Sequence, residues 1–306
     1  KIESNLEDVF DRIAGSLSYD GIKNNYFENH DDALAHVRRL KAQGAISVKN
    51  YNQPRREQRQ QVNEAARQEA LLSVAEGGSL YHMDMSLLID GAGGIEHNIP
   101  TLKIYDDVIQ LWSKTSTSYT PTLVVTYGGL TAEDYYYQKN DIWKHRILSW
   151  FVPPSILQSR SVRRTMAPES DYKDDDAANV AKQLSDAGVI VNTGAHGQRE
   201  GLGTHWEMWS FARGGFSPLE ALATATINPA THLGMKNEIG SIEPGKLADM
   251  VILSQDPLEN ILNTDSVEHI ILNGRIYEAR TLAEEFSGER PPPKLYWHDK
   301  PESLIR

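Results

Sequence analysis

Residues 188–207 read GVIVNTGAHGQREGLGTHWE. A β-branched run, Val189, Ile190 and Val191, leads into Gly194, His196, Gly197, Arg199, Glu200 and His205. Such a run suits a buried parallel strand. It would deliver an imidazole, a guanidinium and a carboxylate at its C-terminal end, where glycines let the chain turn and a ligand approach. Three earlier apolar runs end in the same manner, at Lys49, Glu76 and His97. Nitrogen and oxygen donors of these types, gathered at one rim, make a ligand set for a borderline divalent ion such as zinc. Lysine joins only as a carbamate or otherwise neutralised, because an ammonium has no lone pair.

Each residue also has a plainer reading. His97 could be a core histidine bonded to a carbonyl, and Lys49 and Glu76 could pair with each other. Tyr127 and Arg199 could stabilise an oxyanion or hold a substrate carboxylate; they could equally be a packing tyrosine and a surface arginine. His205 reads as packing against its own helix, and His82 is ambiguous in the same way.

The elements that must position these groups alternate. A helix is expected from a cap at Asp31 and Asp32 to about Gln43, with Leu34, Val37 and Leu40 on one face and Gly44 as its stop. Strands are expected over residues 45–49, 71–75, 94–97 and 122–126. Between them lie a very polar helix opening at Pro54, with Val62, Ala65 and Ala66 facing inward, an amphipathic piece over 83–89 and a helix over 104–114. Residues 1–30 read as mixed and polar, with a turn at 19–21. Residues 130–167 are aromatic and basic, too long for an ordinary connection, and suggest a lid or an inserted helical loop. The acidic run DYKDDD leads into a helix over 177–187; further helices are expected over 206–212 and 217–233. After Gly240, strands over 247–253 and 268–272 precede Asn273-Gly274, a type I′ hairpin signal, and 275–277. Alternating strands and helices imply a parallel sheet with right-handed crossovers. About five strand–helix units are visible where a closed barrel needs eight, and the shortfall lies at the front.

Bulk properties narrow the classes. The chain has 306 residues, 42 acidic against 31 basic, and no cysteine. Disulfides, thiolate metal sites and cysteine nucleophiles are thereby excluded. A net charge of −11 with no basic stripe argues against nucleic acid as a partner. No apolar run reaches the ~20 residues of a membrane span.

At the C-terminal end the segments SPLEALATATINPATHLGM, GSIEPGKLADMVIL, QDPLENI and ILNGRIYEA occur in order. With GIEHN and SVKNYNQP, they make the sequence resemble the amidohydrolase superfamily over roughly residues 31–282. The branch it most resembles is related to imidazolonepropionase and in many bacterial proteins follows a TolB-like propeller. The resemblance implies a (β/α)8 TIM-type barrel, residues 1–238 here, with front strands missing; a small β-sandwich segment, 239–286; and an extended tail, 287–306. It aligns His97 with the strand-six histidine and Lys49 with a lysine often carboxylated to bridge metals. Three departures accompany it. The first-strand His-x-His pair is absent and is expected in a preceding segment. The fifth strand ends in Glu76 rather than histidine. The eighth reads Gly194-Ala195-His196 where Gly-Thr-Asp is usual, so His196 stands in the place of a metal-binding, proton-carrying aspartate.

The expected activity is metal-dependent hydrolysis of a C–N bond, by attack of metal-bound hydroxide on an amide, cyclic amide or peptide-like carbonyl. Lys49, Glu76, His97 and His196 are the expected ligands of one or two divalent ions, zinc being the ion expected. His196, Tyr127 and Arg199 are the expected catalytic groups. The substrate would be a small molecule or short peptide, and a homo-oligomer is compatible with this reading. A periplasmic or secreted location is favoured over a cytoplasmic one. The competing reading is a non-catalytic, incomplete barrel whose open sheet edges serve binding or assembly.

Overall fold

The computed structural model describes residues 28–51, 53 and 55–298, with the backbone of Ser16–Ser18. Contacts divide the chain into two units: Lys1–Thr122 with Asn179–Gly194, and Leu123–Ala178 with Ala195–Arg306.

The first unit is built on a parallel sheet. Strands β1 (Ser16–Ser18), β2 (Ser47–Tyr51), β3 (Leu72–Glu76), β4 (Gly94–Glu96) and β5 (Ser118–Thr120) lie side by side in chain order. A sixth position follows, where Tyr119 pairs in parallel with Val191. There the Tyr119 N–H donates to the Ile190 carbonyl and the Asn192 N–H to the Tyr119 carbonyl, both at 2.8 Å. β1 falls in the stretch read as mixed and polar, and its register with β2 adds a strand to the expected count. The turn at 19–21 and Pro54 lie outside the described residues.

Helices α1 (His30–Ala42), α2 (Arg56–Gln68), α3 (Tyr81–Ile89) and α4 (Asp106–Ser113) connect the strands. The cap of α1 is Asn29, whose side chain accepts from the Asp32 N–H at 3.0 Å, rather than the two aspartates. Asp31 and Asp32 instead fill the first turn, where the helix dipole favours negative charge. Ala33, Val37 and Leu40 pack with Ala45, Val48, Val62, Ala65 and Ala66. Small residues on α2 thus suffice for its inward face. Polar bonds add to that face. Asn63 Oδ1 accepts from Asn50 Nδ2 at 3.1 Å and from Ser73 Oγ at 2.6 Å, tying α2 to β2 and β3.

β2 and β3 keep their expected lengths but lie two residues and one residue later in the chain, which puts Lys49 inside its strand and makes Glu76 the last residue of its own. The strand expected at 122–126 is displaced. β5 is the polar but buried triplet before Pro121; Thr122 turns left-handed at φ 53°, and Leu123–Val125 forms a 3-10 turn. The Val-rich segment turns there because its amides have another partner, described below.

In the second unit, residues 130–167 are helical as read: α5 (Ala132–Lys139), α6 (Leu148–Phe151) and α7 (Pro154–Ser161). Helix α8 (Asp174–Asp186) begins inside the acidic run, and α9 (Gly203–Arg213) follows the glycine-rich loop. The single helix expected over 217–233 is two, α10 (Pro218–Thr224) and α11 (Ile227–His232). Thr226, at φ −131° and ψ −92°, breaks it, and Pro229 lacks the N–H that a continuous ladder would need. Strands β6 (Met250–Leu253), β7 (Val267–Leu272) and β8 (Arg275–Glu278) form a separate antiparallel sheet. Asn273 and Gly274, at φ 50° and 78°, make its type I′ turn. The tail carries no regular element up to His298 but is anchored. Trp297 is 8% exposed, and its indole N–H donates to the Trp150 carbonyl at 3.1 Å. Among the described residues no helix is long and apolar enough to cross a membrane.

Candidate active site

The two faces of the parallel sheet are chemically different. Asn50 and Ser73 bond to α2, and Tyr119 lies against Trp112 of α4, ring centroids 4.9 Å apart. Val48, Asn50, Ser73, Ala75, Ile95, Tyr119 and Val191 therefore face the helices. Side chains alternate along a strand, so the other face carries Lys49, Tyr51, Val74, Glu76, Glu96 and Thr120. The pairings Tyr51 with Glu76, Glu76 with Glu96, and Glu96 with Thr120 set four of these in one row across the sheet.

On that face Lys49 Nζ stands 3.2 Å from Glu76 Oε2 and 4.6 Å from the centre of the Tyr51 ring. His97 Nε2 stands 3.6 Å from Glu76 Oε1. Glu76 is buried, at 6% exposure, and so has a cation on one side and an imidazole on the other. His97 follows the last residue of β4 with φ 68°, its N–H donating to the Thr120 carbonyl at 2.8 Å. A non-glycine residue held left-handed costs about 1–3 kcal/mol, and such residues gather at functional sites. His196 shares the feature at φ 53°.

Two further carboxyls stand nearby, and neither was singled out from the sequence. Burial pushes Glu96 up to about 7; the Thr120 hydroxyl and Lys49 oppose this, and the charge of Glu76 adds to it. Asp84, on α3 and 3% exposed, is also pushed up to about 7, by burial first and then by Glu76. Its carboxylate occupies the space a side chain would need at Gly77. Glu96 follows from register alone, since its pairing with Glu76 places it on the reactive face, whereas alternation from His97 would have put it on the other. Nothing local in the sequence points to Asp84.

Lys49, Glu76 and His97 are brought together within the first unit. His196, Tyr127 and Arg199 belong to the second. There His196 is exposed, with Nδ1 3.1 Å from Gln198 Oε1; Gln198 Nε2 donates to Glu133 Oε2 at 3.0 Å. Arg199 is a buried residue, 4% exposed, and its Nε donates to the Tyr137 hydroxyl at 2.6 Å. Tyr127 is half-buried just after the 3-10 turn. His205, within α9, packs 6.5 Å from Trp209, and burial lowers its pKa. His82 is exposed on α3.

The partner of the displaced Val-rich turn is Glu207, fully buried on α9. Its carboxylate accepts from the Leu123 N–H at 2.7 Å and the Val124 N–H at 3.0 Å. Gly194 serves the loop after the sixth strand position. A Cβ there would lie 2.6 Å from Thr120 Cγ2 and 2.9 Å from Thr122 Oγ1, so only glycine passes without displacement.

Among the described residues no three His, Asp or Glu side chains stand close enough to hold a metal ion. Glu76 and His97 supply one oxygen and one nitrogen donor. Lys49 adds a third in carbamate form alone. The donor chemistry thus suits part of a divalent ion's coordination.

The model of the amidohydrolase family matches residues 90–277, a span that takes in His97 but begins after Lys49 and Glu76. The chain is 42% identical over 91 residues to an adenine deaminase of Ruegeria sp. (strain TM1040), covering 30% of this chain and 13% of that one. It is 65% identical over 40 residues to an imidazolonepropionase of Symbiobacterium thermophilum, covering 13% of this chain and 9% of that one. The matches thus span about a tenth of those relatives' lengths. A solved Xaa-Pro dipeptidase with methionine bound in its active site superposes with a TM-score of 0.59 at 21% identity. That superposition covers 85% of this chain and 61% of the other. Phenylurea hydrolase B gives a TM-score of 0.57 at 19% identity, over 82% and 57%. At these identities the structural likeness establishes the TIM-type barrel fold, and the family match does the rest: the chain belongs to the amidohydrolase family.

Proposed function

We propose that the chain carries a metal-dependent hydrolase centre that cleaves a C–N bond in an amide, cyclic amide or peptide-like substrate. The observation supporting it is the convergence of Lys49, Glu76 and His97 on the face of the parallel sheet opposite its helices. Glu76 and His97 would hold the ion, for which zinc is proposed, and Lys49 would join as a carbamate. A divalent ion bound there supplies an acidified water at neutral pH and polarises a carbonyl. Glu76, between Lys49 and His97, fixes the orientation of both. Glu96 presents a further carboxyl on the same face. Proton transfer by His196, and oxyanion or carboxylate binding by Tyr127 and Arg199, complete the proposal and rest on the sequence.

The test is metal analysis of the full chain after chelation and reloading with zinc, alongside hydrolysis of an amide and lactam panel. Retention of about one or two ions per chain, lost together with hydrolysis in Lys49→Ala and His97→Ala, is the expected result. The mutual pairing of Lys49 and Glu76 favours the competing, non-catalytic reading. No metal uptake at any pH, with self-association of the chain, would decide for that alternative.

A further inference from the structure

Asn192 stands in the sixth strand position, one residue past the pairing of Tyr119 with Val191. Its backbone N–H donates to the Tyr119 carbonyl. Its side chain is 3% exposed, and neither Oδ1 nor Nδ2 has a hydrogen-bond partner among the described residues. Buried amides are rarely left this way, because the unmatched groups destabilise the fold. The direction of the side chain follows from register. Tyr119 and Val191 face the helices, so Thr120 and Asn192 face the other way, in the row that holds Glu76 and Glu96. The Thr120 hydroxyl is already taken up by Glu96. The amide of Asn192 is thus a spare donor and acceptor on the reactive face.

A carboxamide presents its N–H and C=O side by side in one plane. Its full complement is a group with the same two functions on one edge: a primary amide, or a secondary amide held cis in a ring, as in lactams and ureides. A trans peptide amide turns the two functions to opposite sides. Esters and N,N-disubstituted amides have no N–H. We propose that Asn192 is a specificity-determining residue that reads the cis –CO–NH– edge of the substrate. This rests on reading the same face as the hydrolytic centre.

The matched probes are 2-pyrrolidinone and N-methyl-2-pyrrolidinone, which differ in the single N–H. Binding to the full chain is followed by the side-chain resonances of 15N-labelled asparagine, with Asn192 assigned by Asn192→Asp. The lactam with its N–H is expected to shift the Asn192 signal and to bind at least ~10-fold more tightly than the methylated one. In Asn192→Leu, which keeps the branched outline of the side chain without its polar atoms, that preference is expected to fall to about 1. Equal binding of the two lactams by the unmodified chain, no binding of either, or a preference that survives Asn192→Leu would overturn the proposal. Should that variant not fold, the spectra of the unmodified chain decide alone. Zinc content measured on the same samples separates the two ideas. Lactam preference without zinc uptake contradicts only the hydrolase reading, and zinc uptake without preference contradicts only the role of Asn192.

Discussion

Asp84→Asn is the substitution whose effect follows most directly from the structure. The carboxyl is 3% exposed, seated on Gly77, and faces the negative charge of Glu76. Its pKa is raised from 3.8 to about 7 in the folded chain. The folded state therefore keeps a proton that the unfolded state gives up. Stability from this group is intact below about pH 4, is lost as pH rises toward 7, and stays lost above. Roughly three decades at about 1.4 kcal/mol each put the loss near 4 kcal/mol. Asparagine has the same shape and no charge to bury. The variant should thus match the parent near pH 4 and exceed it by up to about 4 kcal/mol at pH 8. The assay is urea denaturation of the chelator-treated protein across this range, and the midpoint of the variant should rise by about 1 M at pH 8 for a slope near 3 kcal/mol/M. Glu96 titrates in the same direction in both proteins, so the difference between them isolates Asp84. An advantage independent of pH, or a variant less stable than its parent at pH 8, would mean that Asp84 is not a destabilising buried charge.

Two further outcomes follow from packing. Glu207→Gln keeps the shape of the side chain but turns an amide N–H toward one of two backbone donors, at Leu123 or Val124. It should lower stability by about 1–3 kcal/mol in denaturant titration, and no change would show that the carboxylate is not what holds the turn. Gly194→Ala places a methyl against Thr120 and Thr122 and should cost about 1–3 kcal/mol. Thr120→Ser removes the nearer clashing methyl, so the double substitution should recover part of that loss; strict additivity would contradict the contact.

How far the sequence carried the fold depends on the range of the interactions involved. Local signals read well. The Asn273-Gly274 turn, the small inward face of α2 and the glycine after α1 are each dictated by the conformational limits of a few neighbouring residues. Distant partners were not legible. The segment 122–126 has the composition of a strand, yet Glu207 takes two of its amides, and the strand passes to the polar Ser118–Thr120. In the site, apolar runs ending in Lys49, Glu76 and His97 pointed to one rim because parallel strands in register present their ends together. Asp84 and Asn192 escaped notice for a physical reason. Burial defines both, and Asn192 also lacks partners; neither property is written in the neighbouring residues.

The proposed centre puts a catalytic divalent ion on the face bearing Lys49, Glu76 and His97. The decisive measurement is diffraction from zinc-soaked crystals of the full chain on either side of the zinc absorption edge. An anomalous peak is expected about 2.0–2.2 Å from a Glu76 carboxylate oxygen and a His97 ring nitrogen, with carbamate density on Lys49. Zinc bound elsewhere, with the Lys49–Glu76 ion pair still closed at its present 3.2 Å, would contradict it.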